Sequence, residues 1–296
     1  MRGDPSARAV SDLLSFGVIN LDKPPGPSAH QVAAWVRDMT GQEQAAHSGT
    51  LDPKVTGCLP ILTGEATRLA QVFDDAVKGY VTVLELHGPA PADCEQVIDE
   101  FNGPLYQKPP RKSAVARRLR TRTIHDLELL ALESRRAQLR VACKTGSYIR
   151  KLCPDLGLAM GTGAHMGDLR RVRTGNFGDR SLVTLHDLAD ALAWAGVSDD
   201  DETEPAPDEQ TLEAVVQPAE RALEPLPRVT MAASAATQVA EGAPLYAPGV
   251  LECEPCEAGT LMAGYTPDGA AVCLGHRTGE DVAGQATVLE LARVLV

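Results

Sequence analysis

The stretch His47-Ser48-Gly49-Thr50-Leu51-Asp52-Pro53-Lys54-Val55-Thr56-Gly57-Cys58-Leu59-Pro60-Ile61 sets one carboxylate, Asp52, in a tightly constrained turn. Pro53 fixes its own φ near about −65° and biases Asp52 toward an extended backbone. Gly49 and Gly57 on either side allow conformations or close approaches that a β-carbon forbids. Such a loop holds a side chain still. Gly, Asp and Pro are also ordinary turn residues, so composition alone favours a plain turn.

Upstream, residues 1–16 show no periodicity and read as a flexible tail. Gly17 to Leu21 is an apolar run of strand type, broken by Asp22-Lys23-Pro24-Pro25-Gly26-Pro27-Ser28. Ser28 is a good N-cap for a helix over 29–39, with Val32, Ala33, Val36 and Met39 at helical spacing. Downstream, Gly64 to Val77 reads as a helix, Lys78 to Leu86 as an alternating strand containing Tyr80, and about 93–101 as a short acidic helix. Leu139 to Cys143 is a strand; Lys144 to Leu152 follows, and then a helix. Lys144 lacks the glycine-rich lead of a phosphate-binding loop, and Met160 to His165 fails the dinucleotide-loop spacing, so nucleotide binding is rejected. Residues 182–195 look helical, 199–209 are too acidic to bury anything, and from Pro227 to Val296 short β-like runs alternate with glycines.

Length and composition fit a soluble globular chain of one large domain and one small one: 296 residues, 44% hydrophobic. No run of about 18 apolar residues and no charged start leading into an apolar core is present, so neither a membrane span nor a signal peptide is expected, and the location expected is cytoplasmic. Seven scattered cysteines fit free thiols in a reducing compartment. Cys253-Glu254-Pro255-Cys256 has metal-like spacing, but without a second pair a plain turn is the better reading.

Charge is divided unevenly. Residues 1–180 carry 24 Lys+Arg against 20 Asp+Glu, a balance of +4, whereas 181–296 carry 4 against 20, a balance of −16. Within the first part, residues 108–122 hold seven basic residues (Lys108, Arg111, Lys112, Arg117, Arg118, Arg120 and Arg122) and no acidic one. A solvated face normally mixes signs, so this segment is expected to contact phosphates. The acidic excess, with 21 arginines to 7 lysines, points to adaptation to high salt; a GC-rich genome gives the same arginine bias.

Four motifs together resemble the TruB-type pseudouridine synthases: the Lys23 strand–turn–helix, His47 to Ile61, the Lys-x-Tyr at 78–80, and Gly146-Ser147-Tyr148-Ile149-Arg150 followed by Leu169-Arg170-Arg171. The Leu86-His87-Gly88 region is closer to the archaeal, dyskerin-like branch, and 227–296 resembles a PUA domain, a small RNA-binding β-barrel. The resemblance implies an α+β fold, with a catalytic domain over 17–195 on a mixed, largely antiparallel sheet and a β-barrel over 227–296; composition makes 196–226 an acidic linker between them. It implies that Asp52 is catalytic, Arg150 pairs with it, Tyr80 stacks on the target uracil, and Tyr148 and Leu169 line the pocket, with His47 and Lys23 in support. The expected reaction converts uridine in RNA to pseudouridine without cofactor or metal. Expected partners are tRNA, rRNA, or an H/ACA guide RNA with small H/ACA ribonucleoprotein subunits. A catalytically silent RNA-binding scaffold is the rival reading.

Overall fold

The computed structural model describes residues 1–109, 116, 118–197, 209–279 and 284–296. The larger sheet is built from β1 (Gly17–Lys23), β2 (Ala45–His47), β3 (Thr56–Thr63), β4 (Lys78–Leu86), β5 (Gly103–Gln107), β6 (Arg120–Leu132), β7 (Arg136–Cys143), β8 (Ala164–Thr174), β9 (Phe177–Gly178) and β10 (Gln217–Pro218). Its order is β10-β1-β3-β8-β4-β7-β6-β5, with β2 added to β3 and β9 to β8. Only β3 and β8 run parallel; the other paired strands of this sheet are antiparallel. Six helices accompany it among the described residues: α1 (Val10–Ser15), α2 (Ala29–Met39), α3 (Cys94–Asp99), α4 (Ile149–Ala159), α5 (Leu185–Trp194) and α6 (Glu209–Val215). The α+β architecture expected from the motifs is the one observed.

Local chemistry accounts for the elements that carry the site. In β4, Lys78, Tyr80, Thr82, Leu84 and Leu86 are buried while the residues between them from Val81 on are half-buried, which is the period of two that a strand imposes. α2 starts at Ser28 with a complete capping box, Ser28 Oγ accepting from Gln31 N–H and the Gln31 side chain accepting from Ser28 N–H. Val32, Ala33 and Val36 are its buried stripe. The segment expected to be helical over 64–77 is instead a run of 3-10 turns over Gly64–Phe73, which still buries Ala66, Leu69 and Phe73.

The second sheet holds β11 (Arg228–Met231), β12 (Leu245–Tyr246), β13 (Val250–Cys253), β14 (Leu261–Tyr265), β15 (Ala271–Arg277) and β16 (Thr287–Val294), with α7 (Ala233–Ala240) packed on it. Its order, β12-β16-β15-β14-β11-β13, gives the barrel-like form expected of a PUA-like domain. Phe16, Val18, Leu62 and Leu69 share one buried cluster with Ala263, Tyr265, Leu274 and Leu295, so the two sheets meet through a continuous apolar core.

Two segments differ from the sequence reading. Residues 1–16 are not a loose tail: α1 buries Leu13 and Leu14, Phe16 has no exposed surface, and Arg8 forms a buried ion pair with Glu220 at 2.6 Å. Part of the stretch read as an acidic linker is packed as well, since Leu212, Val216, Ala219, Ala222 and Leu223 are buried and β10 pairs with β1. These apolar side chains lie on α6, just after it, and on a 3-10 turn over Ala219–Leu223, short elements that the acidic run before them masked. That run, 199–209, lies almost wholly outside the described residues.

Candidate active site

Asp52 sits in the turn that leads into β3. Val55 N–H closes it on Asp52 O at 3.0 Å, and Gly26 N–H donates to Pro53 O at 2.8 Å. Lys23, at the end of β1, has no exposed surface; its ammonium donates to Pro24 O at 2.9 Å, Pro53 O at 3.1 Å and Val55 O at 2.9 Å. Burial lowers the Lys23 pKa, and the nearby Asp52 charge opposes that shift. Gly57 has φ +99°, and a β-carbon there would stand 2.2 Å from Arg171 O, so only glycine lets β3 approach β8 at this point.

The partner of Asp52 arrives from the first turn of α4. Arg150 Nη1 stands 2.8 Å from Asp52 Oδ2, and both side chains keep about 40% of their surface, 38% and 41%. The pair is therefore open to solvent, on a turn whose carbonyls are bonded from behind. Arg150 Nε is buried without a partner among the described residues, a donor left over by the protein's own contacts. The loop before α4 is held by the hairpin of β5 and β6. Gln107 Oε1 accepts from Tyr148 N–H at 2.9 Å, Gln107 Nε2 donates to Tyr148 O at 3.3 Å, and Arg122 Nε donates to Gly146 O at 3.0 Å.

The other expected site residues differ in exposure and in partners. Tyr80 is 9% exposed; its hydroxyl bonds to Arg171, and burial pushes its pKa up. Leu169 is half-buried on β8 opposite Thr82, and Tyr148 is half-buried as the N-cap of α4. His47 Nδ1 accepts from Gly49 N–H at 3.3 Å, which leaves Nε2–H to face His30 Nδ1 at 3.4 Å. Burial, His30 and Arg171 hold His47 down to a pKa of about 4, so it is neutral at pH 7. Of the basic segment, Lys108, Arg118 and Arg120 are exposed. Arg122 is turned onto Gly146, a supporting contact that its place in a charge run did not announce. Arg111, Lys112 and Arg117 lie outside the described residues.

Two cations were missed. Arg171, 1% exposed, donates from Nε to Cys58 O at 2.7 Å and from Nη2 to Gly49 O at 3.2 Å. Lys78, 3% exposed, donates from Nζ to Ser48 O at 3.0 Å, and burial followed by the repulsion of Arg171 lowers its pKa to about 7. Together with Lys23 they bond carbonyls on both sides of Asp52. The available signal was positional: Lys78 and Tyr80 share the inward face of β4, and Tyr80 lies in register with Arg171 on β8.

Three segments match known families: residues 3–33 the DKCLD (NUC011) domain, 37–92 the TruB family pseudouridylate synthase N-terminal domain, and 150–224 the tRNA pseudouridylate synthase B C-terminal domain. The chain is 60% identical over 303 residues to the probable tRNA pseudouridine synthase B of Haloarcula marismortui, a match covering 100% of this chain and 94% of that protein. The chain belongs to the TruB family. Another TruB-family relative, the probable tRNA pseudouridine synthase B of Halobacterium salinarum, is 58% identical over 300 residues, covering 100% of this chain and 99% of its own. The fold matches a crystal structure of a Cbf5-Nop10-Gar1 complex with a TM-score of 0.89 and 40% identity, covering 100% of this chain and 89% of that one. It also matches an H/ACA RNP bound to a substrate RNA containing 2′-deoxyuridine, with a TM-score of 0.88 and 38% identity over 99% and 90% of the two chains. The chain is thus a TruB-family pseudouridine synthase whose fold is similar to that of Cbf5, and the halophilic sources of the first two relatives agree with its acidic, arginine-biased composition.

Proposed function

We propose that this chain isomerises uridine in RNA through Asp52 and does so as the catalytic subunit of a guide-directed H/ACA-type complex. The carrying observation is the Asp52–Arg150 pair, 2.8 Å apart, half-exposed and fixed from behind by bonded loop carbonyls. The reaction breaks the N1–C1′ bond, turns the base, and joins C5 to C1′; the proton on C5 leaves and N1 gains one. No oxidant or external group enters. An ionised Asp52 starts it either by attacking C1′ or by removing a ribose proton, and Arg150 keeps the carboxylate aimed. The target base must first leave its stack, at about a few kcal/mol, and be held in a pocket lined by Tyr80, Tyr148 and Leu169. Lys108, Arg118 and Arg120, which are exposed, would take phosphates in this reading.

Guidance is supported by the similarity to Cbf5 in complexes with Nop10, Gar1 and RNA. A guide supplies sequence choice by base pairing, so the protein need only recognise shape, backbone and a splayed uridine. The name carried by the archaeal relatives favours a second reading, direct action on tRNA. The site of action proposed is the cytoplasm; no helix among the described residues is long and apolar enough to cross a membrane. The test compares rates. Purified protein modifies unmodified tRNA slowly, and a matched guide RNA with partner proteins speeds a guided target; full activity on tRNA with no response to the guide reverses the assignment. Absence of new pseudouridine in either RNA, read by mass spectrometry, would leave the silent scaffold.

A further inference from the structure

Lys78 has no part in the chemistry above, yet its ammonium lies beneath the loop that presents Asp52. Nζ donates to Ser48 O at 3.0 Å and sits 5.5 Å from the centre of the Phe73 ring. A β-carbon on Gly49 would stand 3.9 Å from Nζ, so the ammonium underlies the Ser48–Gly49 peptide itself. Among the described residues no carboxylate is ion-paired with it. The groups that face it are Arg171 from β8, Cys58 from β3, Cys143 from β7 and Asp74 from the end of the 3-10 run. Arg171 takes the next carbonyl of the loop, Gly49 O, at 3.2 Å. Two buried cations thus hold consecutive carbonyls shortly before Asp52, and Lys78 is the one that can lose its charge.

We propose that Lys78 is a positioning residue for the isomerisation: its charged ammonium holds the Ser48 carbonyl, and through that loop it keeps the Asp52 carboxylate in place against Arg150. The proposal rests on Asp52 as the catalytic carboxylate. A charged donor makes a bond about twice as strong as a neutral one, so deprotonation loosens the loop without removing every N–H. The folded protein releases this proton near pH 7, whereas an ordinary lysine holds it to 10.5. Between those values the unfolded chain binds more protons, so the Lys78 contribution to stability rises with pH. Catalysis runs the other way, falling as the ammonium discharges. A lysine that merely fills space would give the stability slope and no loss of rate.

The experiment follows two readouts from pH 6 to 9 in the full chain, wild type, Lys78→Arg and Lys78→Met: single-turnover pseudouridine formation with its guide complex or tRNA, and the side-chain carboxyl ¹³C resonance of Asp52. In wild type the rate falls roughly tenfold across the range, on the scale expected when a charge-assisted bond becomes a neutral one. The Asp52 resonance steps with the same midpoint. Lys78→Arg, always charged, removes both the fall and the step. Lys78→Met, which serves also if the arginine variant does not fold, gives a low rate and no step. A wild-type Asp52 resonance without a step, or a step that survives in Lys78→Met, overturns the proposal. If no RNA is turned over even at pH 6, the functional reading fails separately, and the Asp52 resonance still decides the role of Lys78.

Discussion

The ammonium of Lys23 bonds to Pro53 O at 3.1 Å and Val55 O at 2.9 Å, spanning from beneath the turn that carries Asp52. Removing it leaves buried carbonyls unmet, at about 1–3 kcal/mol. Lys23→Met is therefore expected to lower the midpoint of thermal unfolding and the turnover rate together, with RNA affinity unchanged within a few fold. A variant with normal stability would show that these carbonyls find other donors.

Asp52→Asn keeps the shape of the turn and removes the charge. Pseudouridine formation should be abolished while RNA binding stays within a few fold, because phosphate contacts carry most of the affinity. Arg150→Ala should also lose most of its rate. Since both partners of the 2.8 Å pair are half-exposed, its cost in unfolding free energy should stay under about 1 kcal/mol. Measurable turnover by the asparagine variant removes Asp52 from the chemistry.

The basic segment should divide into two kinds of arginine. Replacing exposed Arg118 and Arg120 by glutamine should flatten the salt dependence of RNA binding by about 0.7 in log–log slope for each lost contact on a single strand. Arg122→Gln, which loses the bond to Gly146 O at 3.0 Å, should instead reduce turnover with little change in slope. Filter binding across a salt series, with rates measured alongside, separates the two.

His47 gives a stability dependence at acid pH. The unfolded chain takes up this proton near 6.5, whereas the folded chain resists until about 4. Unfolding is therefore favoured as pH falls through that window, because the unfolded state binds the extra proton. His47→Gln should flatten this part of the stability curve, measured by urea unfolding between pH 4 and 7; an unaltered slope would place the titration elsewhere.

Arg8 and Glu220 form a buried bidentate pair, at 2.8 and 2.6 Å, and Glu220 also accepts from Ala271 N–H in the C-terminal sheet at 3.0 Å. Arg8→Ala leaves that carboxylate buried and unpaired, at about 3–5 kcal/mol. Replacing both by apolar residues of similar size should restore much of the loss, and thermal unfolding of the single and double variants tests this.

What could be read from the chain was what local chemistry writes locally. The Asp52 turn, the Ser28 cap of α2 and the alternation of β4 each depend on neighbours within a few residues, and each is found where expected. Arg171 could not be read in this way. Its partners, Cys58 O, Gly49 O and the Tyr80 hydroxyl, come from distant parts of the chain, and a strand arginine next to another gives no sign of which one turns inward. The order of residues 1–16 was hidden for the same reason, since Arg8 pairs with Glu220 and Phe16 lies in a buried cluster that draws on residues from 18 to 295.

That last arrangement bears on how the chain reaches its fold. Arg2 donates to Leu295 O across a sequence separation of 293, and Arg8 meets Glu220 across 212. Residues 2 and 8 thus wait for partners made more than two hundred residues later, with the loop-closure entropy that contacts of long range impose. The sheet bearing Asp52 has most of its own strands long before then, but β10, the Glu220 contact and the apolar seam to the second sheet cannot be laid down until residues 217–295 have emerged. A nascent chain stalled before that point carries Asp52 and Arg150 yet lacks the closure that ties residues 2–16 to residues 220–295.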